Sequence, residues 1–183
     1  MDDIVRLAEK ITEAPRRGLV LILTADSARQ SKTSFIAGLI LKGPLFVISG
    51  DEWLPAYELP RIIRRQTTAV KEIMNQLYTV RASSCYRLFD SLASLPSKGE
   101  PVLVMELLHT FYDTDIPLRT RLFRLRECCR ELARLAIHRP VIVMTRAGEG
   151  EDYEKFLPAI CPIADRLLTL APEFEPVHQP VLF

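Results

Sequence analysis

Four runs of uninterrupted apolar residues set the terms for this chain: LVLILT (19–24), LFVIS (45–49), PVLVME (101–106) and PVIVMT (140–145). A strand with one wet face alternates apolar and polar residues. A strand that is apolar throughout needs cover on both faces, the situation inside a parallel sheet. The stretches between the runs carry helical spacing instead. The clearest is 117–138, where Leu118, Leu122, Leu125, Cys129, Leu132 and Ala136 form one stripe. Residues 2–14 place Ile4, Leu7, Ala8 and Ile11 on one face, and Pro15 and Gly18 end that helix. Further helices are expected from about Lys32 to Leu41, from Pro60 to about Leu77, over CYRLFDSLASL and over DYEKFLPAI. Shorter strands are expected at YTVRA and ADRLLTLAP. Such alternation predicts an α/β fold, a mostly parallel sheet flanked by helices on both faces. A length of 183 residues suits one domain. Its parts are an N-terminal helix over 1–15, a core over 16–170, and a C-terminal tail or edge strand over 171–183.

The junction between the first strand and its helix holds the most chemistry. Its window, DSARQSKT from Asp26 to Thr33, has the placement of a Walker A loop, G-x-x-x-x-G-K-[ST]. The Lys32-Thr33 pair is present and both glycines are missing. Glycines let such a loop curl its N–H groups onto phosphate. Ser31 adds a Cβ at the point of closest approach, and Asp26 sets a negative charge beside it. Two like charges ~4 Å apart cost about 1 kcal/mol in water and about 4 at an effective dielectric near 20. Ser31, Lys32, Thr33 and Ser34 are the candidate nucleotide-binding residues, with an ammonium for phosphate and a hydroxyl for magnesium.

From about Arg16 to Leu170 the chain resembles the ATPase core of the RecA/RadA recombinases and their paralogues. RRGLVLILTADSARQSKTSFIAGLI is similar to that family's strand, Walker A loop and helix, and PVLVMELLHTF to its Walker B strand. LFVISGDEWLPAYELPRII resembles the strand whose end carries the family's catalytic glutamate, before an aromatic-x-proline stretch kept here as Trp53-Leu54-Pro55. The matching catalytic position falls near Gly50, and Glu52 is the displaced candidate. Glu106 stands where the family has aspartate, so the resemblance pairs Thr33 and Glu106 as magnesium ligands. Arg146 departs from the family's polar sensor. The resemblance implies a RecA-like P-loop fold whose eroded site takes ATP and magnesium weakly or not at all. It implies a pseudo-ATPase accessory in DNA recombination or repair, acting through DNA or through homo- or hetero-oligomers with RecA-like proteins. Two alternatives stand beside it. One is an active ATPase with an atypical P-loop, and the other a small-molecule or phosphate-binding module.

Arginines are the second feature. Arg61, Arg64 and Arg65 cluster after Pro60, and Arg121, Arg124 and Arg130 belong to a richer set within 116–139. Lying opposite apolar stripes, both sets are expected to be exposed and are the candidate DNA or partner contacts. Tyr57, Tyr78 and Tyr86 are read as core or edge packing rather than base-stacking platforms. A net charge of +1 gives no overall attraction to nucleic acid or membrane. No apolar run approaches the ~20 residues that cross a bilayer. MDDIVRLAEK lacks the order of a signal peptide, so a cytoplasmic protein is expected. Cys85, Cys128, Cys129 and Cys161 show no metal spacing and are read as reduced, mostly core thiols. His109, His138 and His178 complete no ligand set.

Overall fold

The computed structural model describes residues 17–25, 29–50, 56–148 and 151–170. The expected helix over 1–15 and the tail over 171–183 lie outside the described residues. The strands are β1 (Gly18–Thr24), β2 (Leu45–Ser49), β3 (Leu77–Arg81), β4 (Val102–Met105), β5 (Pro140–Arg146) and β6 (Arg166–Leu170). The helices are α1 (Arg29–Ile40), α2 (Glu58–Arg64), α3 (Val70–Met74), α4 (Cys85–Ser94), α5 (Leu118–Ala136) and α6 (Glu151–Ile160). Short 3-10 turns occupy Leu107–Phe111 and Cys161–Ile163.

All six strands run parallel, in the order β3-β2-β4-β5-β1-β6. The apolar runs are continuous because each strand feeds two cores. Leu19 and Leu21 of β1, Val102 and Val104 of β4, and Val141 and Val143 of β5 point to one face. There they meet Leu88 and Leu92 of α4, Leu125 and Leu132 of α5, and Phe156 of α6. Their neighbours Val20, Ile22, Leu103, Met105, Ile142 and Met144 point to the other face, onto Phe35, Ile36 and Ile40 of α1 and Leu59 and Ile63 of α2. Helices therefore cover both faces of an α/β sheet.

One helix differs from expectation. The segment from Pro60 to Leu77 is broken into α2 and α3. Thr67 interrupts it: its hydroxyl accepts the Ala69 N–H at 3.2 Å, offering the backbone a local partner in place of the helical one.

Two arginines at the far end of α5 hold the entry to β4. Arg139 is 2 % exposed, and its guanidinium donates to the carbonyls of Ser97 (3.3 Å), Lys98 (2.6 Å), Glu100 (3.1 Å) and Pro96. Gly99 is needed there, because it takes φ +148° and a Cβ would lie 2.8 Å from Arg139 Nη2. Arg134 donates to the Leu92 and Leu95 carbonyls at 3.3 and 3.1 Å, filling the open C-terminus of α4. Both belong to the arginine-rich stretch and serve the fold.

Candidate functional site

The carboxyl ends of β1, β4 and β5 deliver three charged side chains to one place. The first turns of α1 follow β1 and bury Ser31, Lys32, Thr33 and Ser34. Lys32 Nζ donates to Glu106 Oε1, and Arg146 Nε, at the end of β5, donates to Glu106 Oε2 at 3.1 Å. Glu106 is 3 % exposed, so its carboxylate is held between two cations away from bulk water. Taking such groups out of water is costly unless each meets an opposite charge.

The backbone at Glu106 is unusual as well. With φ 51° and ψ 44° it is the one non-glycine residue with positive φ among the described residues. This left-handed conformation costs an L-residue roughly 1–2 kcal/mol. It turns the chain from β4 into the following 3-10 segment, where the His109 N–H bonds the Glu106 carbonyl at 3.0 Å. Gly50 closes the arrangement from β2. Its N–H bonds the Met105 carbonyl at 2.8 Å, and any Cβ at position 50 would collide with the Glu106 carbonyl. Position 50 therefore admits no side chain while β2 and β4 keep this spacing.

Ser31 is fully buried, and its hydroxyl has no hydrogen-bond partner among the described residues. A buried hydroxyl left unpaired costs about 1–3 kcal/mol. Lys32 and Glu106 do converge, as a phosphate-and-magnesium site requires in kind. In this arrangement, however, both carboxylate oxygens are already engaged by cations. A metal or phosphate has to displace those contacts. Beside Glu106 lies a cavity of about 340 Å³ that also touches His109, Tyr112, Thr145 and Arg146. Burial pushes the Tyr112 phenol above its usual range, with Tyr153 and Asp152 adding to the effect. A larger cavity, about 550 Å³, lies at the opposite, amino ends of β1, β5 and β6. Arg17, Asp165 and Arg166 line it, with Asp165 bonded to the Leu19 N–H at 2.7 Å; the buried carboxylate bridged by two cations lies at the smaller cavity.

Asp26, Glu52 and the Trp53-Leu54-Pro55 stretch lie outside the described residues. The part played by Arg146 was not anticipated. A basic residue ending β5, the strand next to β4, is the signal that points to it, once the strand order is known.

The arginines separate into classes. Arg61, Arg64 and Arg65 are exposed, on α2 and at its end, as expected. Arg121 is not: it is 6 % exposed, donates to the Phe111 carbonyl at 2.9 Å and pairs with Asp152 at 2.7 Å. Its expected exposure fails because α6 packs over that side of α5, bringing Asp152 and Phe156 onto it. Arg124 pairs with Glu127 at 2.7 Å and lies over the rings of Tyr86, Phe89 and Phe123. Arg130 is exposed. Tyr57, Tyr78 and Tyr86 are exposed rather than packed, Tyr57 at 90 %. The thiols behave as core residues: burial raises Cys128 and Cys129, the latter to about 12, so neither offers a thiolate at neutral pH. No helix among the described residues is long and apolar enough to cross a membrane.

No protein-family model matches this chain, and no curated protein matches it significantly.

Proposed function

We propose that this chain is a RecA-like paralogue with an eroded nucleotide site, a non-catalytic or weakly active accessory in DNA recombination or repair. The observation that carries the reading is the buried Lys32–Glu106 pair. It joins the residue at the phosphate-gripping position after β1 to the residue at the magnesium position after β4. Those are the two places where a P-loop ATPase assembles its site. Three features favour loss of catalysis. Serine replaces the loop's second glycine, a protein carboxylate occupies the lysine, and Gly50 leaves no room for a glutamate. Such a protomer acts by lending a surface to DNA or to RecA-like partners.

A titration of ATP with and without magnesium tests this. Loss of two or three phosphate contacts at ~1.5–3 kcal/mol each moves a micromolar site to millimolar or weaker. The expected result is weak or absent binding and no appreciable hydrolysis. A micromolar dissociation constant that disappears in Lys32→Ala replaces this reading with that of a working ATPase.

A further inference from the structure

We infer that the outer face of α5, with the adjoining start of α4, docks an acidic segment of a protein partner through an apolar anchor. The inference rests on the accessory reading and specifies the surface and the chemistry of its partner. Helix α5 contains six arginines and no lysine. Three of them, Arg119, Arg126 and Arg130, are exposed and have no ion-pair partner among the described residues. Its two acids are engaged elsewhere, Glu127 with Arg124 at 2.7 Å and Glu131 with Arg134 at 2.6 Å. Positions 119, 123, 126 and 130 fall on one helical face, so Phe123 sits among the three uncompensated charges. Phe123 is 54 % exposed and Tyr86 is 41 % exposed. The Arg124 guanidinium lies 4.9 Å from the Tyr86 ring and 5.9 Å from the Phe123 ring, which makes the two rings one continuous patch. Arg124, held by Glu127, positions that patch and is not itself available to a partner.

Composition favours a protein over a nucleic acid. Arginine with exposed aromatic rings and no lysine is the makeup of protein interfaces, where arginine, tyrosine and phenylalanine are enriched and lysine depleted. Along a helix, Arg119 and Arg130 are only ~16 Å apart. That is about five nucleotides of a stacked strand, a short track for a phosphate-binding surface but a good match to three turns of an acidic helix.

The test uses the full chain and fluorescence anisotropy. One labelled probe is a glutamate-rich peptide with a central phenylalanine, another is the same peptide with alanine in its place, and a third is an oligothymidylate. The phenylalanine peptide is expected to bind at low salt and to weaken as salt rises. Arg119→Glu, Arg126→Glu and Arg130→Glu together should weaken it roughly tenfold or more. The same triple variant should now bind a lysine-rich peptide carrying the same phenylalanine, a reversal that a misfolded protein does not give. Phe123→Ala should lower affinity for the phenylalanine peptide to that for the alanine peptide, with the salt dependence unchanged. No peptide binding at low salt, or binding that survives the triple reversal, overturns the inference. Tighter Phe123-dependent binding of the oligothymidylate also overturns it and makes this a nucleic-acid face. If Arg61→Glu, Arg64→Glu and Arg65→Glu abolish binding instead, this surface falls while the accessory reading stands. The nucleotide titration judges that reading separately.

Discussion

The two ends of the sheet hold cations in different ways. At the amino end, Arg139 distributes its charge over four backbone carbonyls of the loop before β4. At the carboxyl end, Lys32 and Arg146 meet a carboxylate on a residue in left-handed conformation. The carbonyls belong to the main chain, so they are fixed partners that no ligand replaces. A carboxylate is an ion, and an incoming phosphate or metal competes for the same contacts. Burial alone therefore does not mark a functional charge; the exchangeability of its partner does.

The largest test of this contrast is Lys32→Met. It leaves Glu106 buried with Arg146 as its remaining cation, and removing one partner of a buried pair typically costs about 3–5 kcal/mol. Adding Glu106→Gln should recover most of that loss in urea denaturation, since no buried charge is then left uncompensated and Arg146, its side chain 43 % exposed, can be solvated instead. Failure of the double variant to recover means the pair is structural in the same sense as Arg139. At the other end, Arg139→Lys should cost about 2–3 kcal/mol, because an ammonium cannot reach four carbonyls from one position. No second side-chain substitution should rescue it. If one does, the two ends are not different in kind.

The buried thiols supply a background to subtract from pH series at either end. Cys129 is raised from 9.0 to about 12 and Cys128 is raised further. The unfolded chain gives up these protons first as pH rises above about 9, so it binds fewer protons than the folded one and stability falls. The loss is at most about 1.4 kcal/mol per pH unit per thiol, and Cys129→Ala should remove its share while leaving those of Cys128 and of Cys85, which burial also raises. Below pH 8 these thiols should add no slope. The smallest effect is expected for Gly99→Ala, about 1 kcal/mol in thermal unfolding, from positive φ and the crowded Arg139 tip. Combined with Arg139→Lys it should cost less than the sum, because the crowding is then gone.

The strands and the long helix were legible because their signals are local. Leu125 and Leu132 of the α5 stripe are buried, and the continuous runs at 19–24 and 140–145 are central strands. Some of what failed was decided by partners distant in sequence, and some by local side-chain competition with the backbone. Arg121 and Arg124 look alike in the chain, and only the packing of α6 shows that Arg121 faces Asp152. The break between α2 and α3 rests on one threonine hydroxyl competing with the helix, a choice that apolar spacing does not record. At the site, the Lys32-Thr33 pair and Glu106 were visible as motif fragments. The convergence of Arg146 and the closure by Gly50 depend on strand order and close approach, which no spacing encodes.

The position of β1 also has a consequence for biogenesis. It is the earliest described strand in the chain, yet it pairs with β5 and β6 alone, beginning about 120 residues downstream. At synthesis rates of about 5–20 residues per second, LVLILT waits roughly 6–24 s for a neighbour. During that interval an interior strand of the future sheet is an unpaired apolar segment of the nascent chain. The strands β2, β3 and β4 complete their mutual pairings first. Slow synthesis or a truncation before β5 thus presents the cell with a half-sheet and a loose sticky strand, the kind of species that chaperones retain.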